Sequence, residues 1–162
     1  MTIREALAQA NRQIAKKIDA ALTQDVFPAI QEEEAATIYA EVYKVYTPKM
    51  YRRRGEYGGL GDMDNIEILG GKATGGVLTV VNTTEANPGG CFNKGRVTTG
   101  KNLPALVEYG HGYRGNVYDF PSNRRYMKPR PFTAKTIANL AESKAHVAAL
   151  RDGLMRLGVK VE

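Results

Sequence analysis

The chain has 162 residues, with 23 Lys+Arg against 17 Asp+Glu and a net charge of +6. That length suits one domain able to bury roughly 70% of the surface its unfolded form exposes, so no disulfide or metal staple is required. No apolar run nears the ~20 residues that span a bilayer. The single cysteine, Cys91, excludes an intrachain disulfide and a Cys-based zinc site. Glu5, Gln9 and Asn11 argue against a signal peptide, and a cytosolic product is expected.

The first element is helical. Thr2 and Glu5 form a T-x-x-E capping box, and Ile3, Leu7, Ala10, Ile14, Ile18 and Leu22 follow at helical spacing on one face. Arg4, Arg12, Lys16 and Lys17 then stay in water. Pro28 predicts a break or bend near Gln24–Pro28, because proline is costly inside a helix. A second helix is expected from about Ala29 to Tyr46, buried along Ile30, Ile38, Val42 and Val45, with Tyr39, Tyr43 and Tyr46 on one side. Glu32, Glu33 and Glu34 suit the positive end of its dipole, and Thr47-Pro48 ends it.

Residues 47–63 read as a basic, glycine-rich loop. A short strand at Asn65–Leu69 precedes a Gly70-Gly71 turn, and Gly76–Thr84 alternates with β-branched residues, as a strand does. Residues 85–102 form a long loop, and Pro104–Tyr109 is either extended or a turn of helix. A second glycine- and arginine-rich excursion fills 110–128. Pro129-Arg130-Pro131-Phe132 opens a last helix, striped by Ile137, Leu140, Val147, Leu150, Leu154 and Leu157 and stopped by Gly158. Val159–Glu162 could add a terminal strand. The expected fold is a single α+β domain over 1–162. It is helical over 1–46, a basic loop over 47–63, strands and loop over 64–109, a loop over 110–128 and a helix over 129–157. The last helix is expected to pack on a small, mostly antiparallel sheet, with Phe132 as its anchor.

Candidate chemistry is sparse. His111, in Glu108-Tyr109-Gly110-His111-Gly112, has no nucleophile or third member nearby, and a surface turn is the plainer reading. His146 falls on a solvated stretch of the last helix. Asp62-x-Asp64-Asn65 clusters oxygens, but Glu67 and Glu85 are misplaced for a calcium loop. Three consecutive glutamates point in three directions on a helix, so a solvated, dipole-matched face is expected at Glu32–Glu34 rather than a metal site. Gly58-Gly59-Leu60-Gly61 lacks the lysine of a phosphate loop, and Cys91 has no activating histidine. No catalytic residue, metal ligand or cofactor is expected. The basic segment 43–54 mixes Tyr43, Tyr46 and Tyr51 with Lys49, Arg52, Arg53 and Arg54, the composition single-strand binders use. The alternative has the tyrosines packing the helix end and the arginines pairing across a subunit boundary. Separated basic and acidic blocks suit either a polyanion or a second copy of the chain.

Two stretches carry a resemblance. One is Val42-Tyr43-x5-Tyr51-Arg52-Arg53 followed by Gly59-Leu60-x-Asp62; the other is Leu106-Val107-Glu108-Tyr109-Gly110 followed by Arg130-Pro131-Phe132 at a helix start. Their order resembles the tail-completion (neck, head–tail joining) minor structural proteins of tailed bacteriophages and prophages, from Ile3 to Leu157. Tyr51-Arg52-Arg53-Arg54-Gly55 stands where many members carry a "TG.LR" segment. The resemblance implies a non-enzymatic virion protein, made in the host cytoplasm and placed at the tail or neck. It implies a homo-oligomeric, six-fold ring that contacts tail-tube or terminator and head-connector proteins, with genomic DNA in the lumen and no membrane. Arg52, Arg53, Arg54, Arg124, Arg125, Lys128 and Arg130 are the expected subunit or DNA contacts, and Arg130 is expected to pair with Glu108 or a neighbour's acid. The alternative function is a nucleic-acid-binding protein using residues 43–54.

Overall fold

A computed structural model describes residues 2–45, 47, 54, 57–85, 103–109 and 129–161. The fold is α+β and mostly helical among these residues, as expected. Helix α1 (Ile3–Ala21) opens with the expected capping box: the Thr2 N–H donates to Glu5 Oε2 at 2.7 Å and the Glu5 N–H to Thr2 Oγ1 at 3.2 Å. Two orphan donors of the first turn are thereby satisfied.

Of the break or bend expected near Gln24–Pro28, the break does not occur, and the irregularity there is a change of helix type. The chain continues through one widened π-turn, Leu22–Val26, into α2 (Phe27–Ile38). Proline lacks an N–H and its ring presses on the carbonyl four residues back. A π-turn moves that carbonyl away, so the helix accommodates Pro28 without stopping. Thr23 Oγ1 donates to Asp19 O within the same stretch. A second π-turn, Tyr39–Tyr43, ends the helical run, closed by the Lys44 N–H on Tyr39 O. Tyr39 and Tyr43 lie edge to face at 6.4 Å, so the expected tyrosine side exists for these two; Tyr46 lies outside the described residues. Of the face expected to be buried, Ile38 and Val42 are buried, Ile30 is half-buried and Val45 is exposed.

The expected strand over Gly76–Thr84 shortens. Strands β1 (Ile66–Ile68) and β2 (Val80–Asn82) pair antiparallel, with Leu69 N–H on Thr79 O and Thr83 N–H on Asn65 O. Thr74 and Val77 bridge across Gly75-Gly76, both at positive φ (65° and 79°), the hairpin turn that glycines permit and that matches strand twist. Glycine 76 therefore belongs to the turn, not to the strand. Residues 104–109 resolve as helix: α3 runs Leu103–Tyr109.

The single long C-terminal helix expected from the apolar stripe is two helices, α4 (Phe132–Ser143) and α5 (Ala145–Arg156), parted by Lys144 in the left-handed region at φ 57°. Between Leu140 and Val147 the sequence has only Ala, Glu, Ser, Lys and His, so redirecting the chain there gives up no large apolar contact. Gly158, at φ 75°, ends α5 as expected: its N–H bonds Met155 O and the Val159 N–H bonds Leu154 O, both at 2.9 Å. Residues 159–161 are not a strand.

Two compact units emerge. The first comprises residues 1–33, 67–81 and 139–162. There α5 crosses α1 and the π-turn closely at Gly153, where an added Cβ would lie 3.1 Å from the Ala21 Cβ and 2.7 Å from Asp25 Cγ. The Asp25 carboxylate receives Arg156 Nη2 at 2.8 Å, and Asp19 receives the N–H groups of Gly75 (3.1 Å) and Gly76 (2.7 Å), fastening the hairpin tip to α1. The second unit comprises residues 34–66 and 82–138, and its core is Ile38, Val42, Leu60, Val107 and Phe132, flanked by Tyr43 and Leu103. Phe132 is fully buried, but its core partners are side chains of helices and of a turn; strands of three residues are too short to offer the sheet surface expected to receive it.

Candidate functional site

The two motif stretches, 42–62 and 106–132, meet in the second unit. Val42, Leu60, Val107 and Phe132 belong to one buried cluster. Tyr43 adds a polar tie, its hydroxyl accepting the Gly61 N–H at 2.9 Å, so the Gly59-Leu60-Gly61-Asp62 turn is seated on the end of the helix by both Leu60 and Tyr43. Asp62 holds this turn locally: it accepts the Gly58 N–H, and its Oδ1 takes the Asp64 N–H at 3.0 Å, capping a short 3-10 turn at Met63–Asn65. Asn65 Nδ2 donates to Gly59 O at 3.0 Å. Both carboxylate oxygens of Asp62 are thus taken up by backbone donors of their own turn.

The second motif closes in the same way. The Arg130 N–H bonds Val107 O at 2.9 Å, joining α3 to the start of α4. Pro131, immediately before α4, has no side-chain acceptor to cap it. Glu108 supplies one from α3: Oε2 takes the Thr133 N–H at 2.9 Å and Oε1 the Ala134 N–H at 3.3 Å. A carboxylate there satisfies two free donors and meets the positive end of the helix dipole. The "VEY" and "RPF" residues are therefore one structural joint, in which Val107 and Phe132 supply the apolar contact and Glu108 the polar one.

Beside this joint a buried polar group joins helix α2 to the end of β2. Asn82 Nδ2 donates to Glu34 Oε1 (3.1 Å) and to Leu60 O (3.0 Å). Its Oδ1 accepts the Thr84 N–H (3.2 Å) and lies 2.7 Å from Thr84 Oγ1, so both its donors and both its acceptor lone pairs are used. Glu34 is buried, and burial pushes its carboxyl above the ordinary glutamate value of 4.5; the Asn82 bond opposes the shift and the Glu108 charge adds to it. The sequence suggested a solvated Glu32–Glu34 face. Glu32 is exposed, but Glu33 is half-buried and accepts from Asn139 Nδ2 at 2.8 Å, and Glu34 points inward. The third residue of a helical run turns to the opposite side of the first, which is why one face could not hold all three.

Of the seven expected contact residues, Arg54 and Arg130 fall within the described residues; Arg52, Arg53, Arg124, Arg125 and Lys128 lie outside them. Arg54 is exposed and donates through Nη2 to Glu85 O. Arg130 is half-buried at the joint. His111 and Cys91 also lie outside the described residues, and His146 is half-buried rather than solvated. Sequence reasoning missed Glu34 and Asn82. The signal available was the third acid of a Glu run facing inward, on the same side as Thr37 and Ile38.

Among the described residues no helix is long and apolar enough to cross a membrane. No curated protein and no solved structure matches the chain significantly. The model of one family, described as YomN, matches residues 6–156. That span contains both motif stretches and the joint they build, and on it the chain belongs to the YomN family, a phage-associated family.

Proposed function

We propose that this protein is a non-enzymatic structural subunit of a tailed-phage particle, a tail-completion protein that forms a ring at the head-proximal end of the tail and joins it to the head connector. The observation that carries this reading is the convergence of the two motif stretches on one core, where Val42, Leu60, Val107 and Phe132 pack together and Glu108 caps α4. Residues that give the chain its likeness to tail-completion proteins thereby act as fold determinants, as expected of a subunit whose task is shape. Membership of a phage-associated family supports the same reading. In this proposal the ring is a hexamer of head-to-tail contacts, which suit the segregated charge of the chain. Arg52, Arg53, Arg54, Arg124, Arg125, Lys128 and Arg130 contact a neighbouring subunit, an adjoining ring or lumenal DNA. Electron microscopy of particles assembled without this protein tests it. Separated, filled heads and free tails are expected, and intact joined particles overturn the proposal.

A further inference from the structure

Among the described residues, helix α1 carries an apolar stripe that is exposed. Ile3 is 90% exposed, Leu7 61% and Ile14 48%, and burial of the helix begins only near Lys17. The segment 3–16 is about 21 Å of helix at the standard rise. Its spacing is that of a coiled-coil seam: Ile3, Leu7, Ala10 and Ile14 take the d, a, d and a positions of consecutive heptads.

The residues flanking the seam indicate what covers it. At the e and g positions stand Arg4, Ala6, Asn11 and Gln13, with a single charge among them, whereas Arg12 and Lys16 sit away from the seam. Such flanks call for no charged partner and allow the helix to meet its own copy. Direction follows from volume and charge. In a parallel pair Ala10 would face Ala10, leaving a gap, and Lys17, the next d position, would face its own copy. In an antiparallel pair Ile3 faces Ile14 and Leu7 faces Ala10, large against small, and Arg4 lies level with the neutral Asn11 and Gln13. A stripe of two positions in seven without an aromatic residue also fits another helix better than the wide apolar face with which amphipathic helices enter a bilayer surface.

We propose that the free protein self-associates through an antiparallel pairing of α1 with α1 of a second copy, centred between Ala8 and Gln9. A seam of two heptads falls short of the ~1,200–2,000 Å² of stable interfaces, so the pairing is weak and reversible. It covers the stripe before assembly and goes beyond the neck proposal, which would survive its failure.

Sedimentation equilibrium from micromolar to millimolar protein tests it. The mean mass is expected to rise from 17.8 kDa toward twice that value. Leu7→Asp and Ile14→Asp are expected to abolish the rise, while Arg12→Ala, off the seam, keeps it. All three positions are exposed, and far-UV circular dichroism should show unchanged helix content. In a Cys91→Ser background, a mixture of Ile3→Cys and Ile14→Cys chains is expected to form an oxidised dimer, and neither chain alone should do so. A monomer at every concentration, or a rise unaffected by Leu7→Asp, overturns the proposal. Cross-linking of Ile3→Cys to itself overturns the antiparallel geometry. Binding of anionic phosphatidylglycerol vesicles by a protein that stays monomeric would make the occupant a lipid surface.

Discussion

Glu34 is a carboxylate placed where a neutral group fits better. Its pKa is raised, chiefly by burial, so the fold favours the protonated acid. Below about 4.5 both folded and unfolded chains hold this proton and the group costs nothing. As pH climbs above 4.5 the unfolded chain releases it while the folded chain keeps it, and stability falls until the folded value is passed. Glu34→Gln keeps an oxygen for Asn82 and carries no charge. It is expected to melt at a higher temperature than wild type at pH 7–8, with the difference vanishing near pH 4 in calorimetric scans. Glu108 has a different task, accepting the Thr133 and Ala134 N–H groups at the start of α4. Glu108→Ala leaves two backbone donors without their partner and should cost about 0.5–2 kcal/mol in urea unfolding. Phe132→Ala empties the centre of the second unit's core and should cost about 3–5 kcal/mol by the same measurement.

At the scale of the element, local signals were honoured wherever their partners lie within one turn. The Thr2–Glu5 box, the Gly158 stop and the Gly70-Gly71 turn are where the sequence puts them. Two helices depart from the pattern. A proline signal at Pro28 was absorbed by a π-turn, and an unbroken helical stripe from Phe132 to Leu157 was interrupted at Lys144. Periodicity reports which side of a helix is apolar, but it does not register one residue in a left-handed conformation. That conformation costs roughly 1–2 kcal/mol for a residue with a Cβ. Lys144→Gly is therefore expected to raise the thermal midpoint, provided α4 and α5 keep their break, whereas Lys144→Ala should leave it nearly unchanged.

For the whole molecule the question is what its positive charge is for. Three described residues of the Tyr/Arg segment are already engaged within the chain. The Tyr43 hydroxyl holds Gly61, Lys44 sits over the Tyr39 ring at 5.2 Å and Arg54 donates to Glu85. Under the structural proposal, filter binding to single-stranded DNA is expected to give only the non-specific range, about 10⁻⁴–10⁻⁶ M at physiological salt, falling steeply as salt rises. Tight binding by a monomer would favour the nucleic-acid-binding reading over the structural one.

The α+β class, the capped first helix, the hairpin region and the two motif stretches were legible in the residues alone, because helix caps, glycine turns and apolar periodicity depend on neighbours within a few positions. The meeting of Val107 with Phe132, the capping of α4 by Glu108 and the burial of Glu34 against Asn82 were not, since each joins groups at least twenty-five positions apart. Neither was the exposure of the α1 stripe. A sequence shows that Ile3, Leu7 and Ile14 share a side of a helix, but only the folded structure shows that, among the described residues, these three stay exposed, because burial depends on which distant segments pack there.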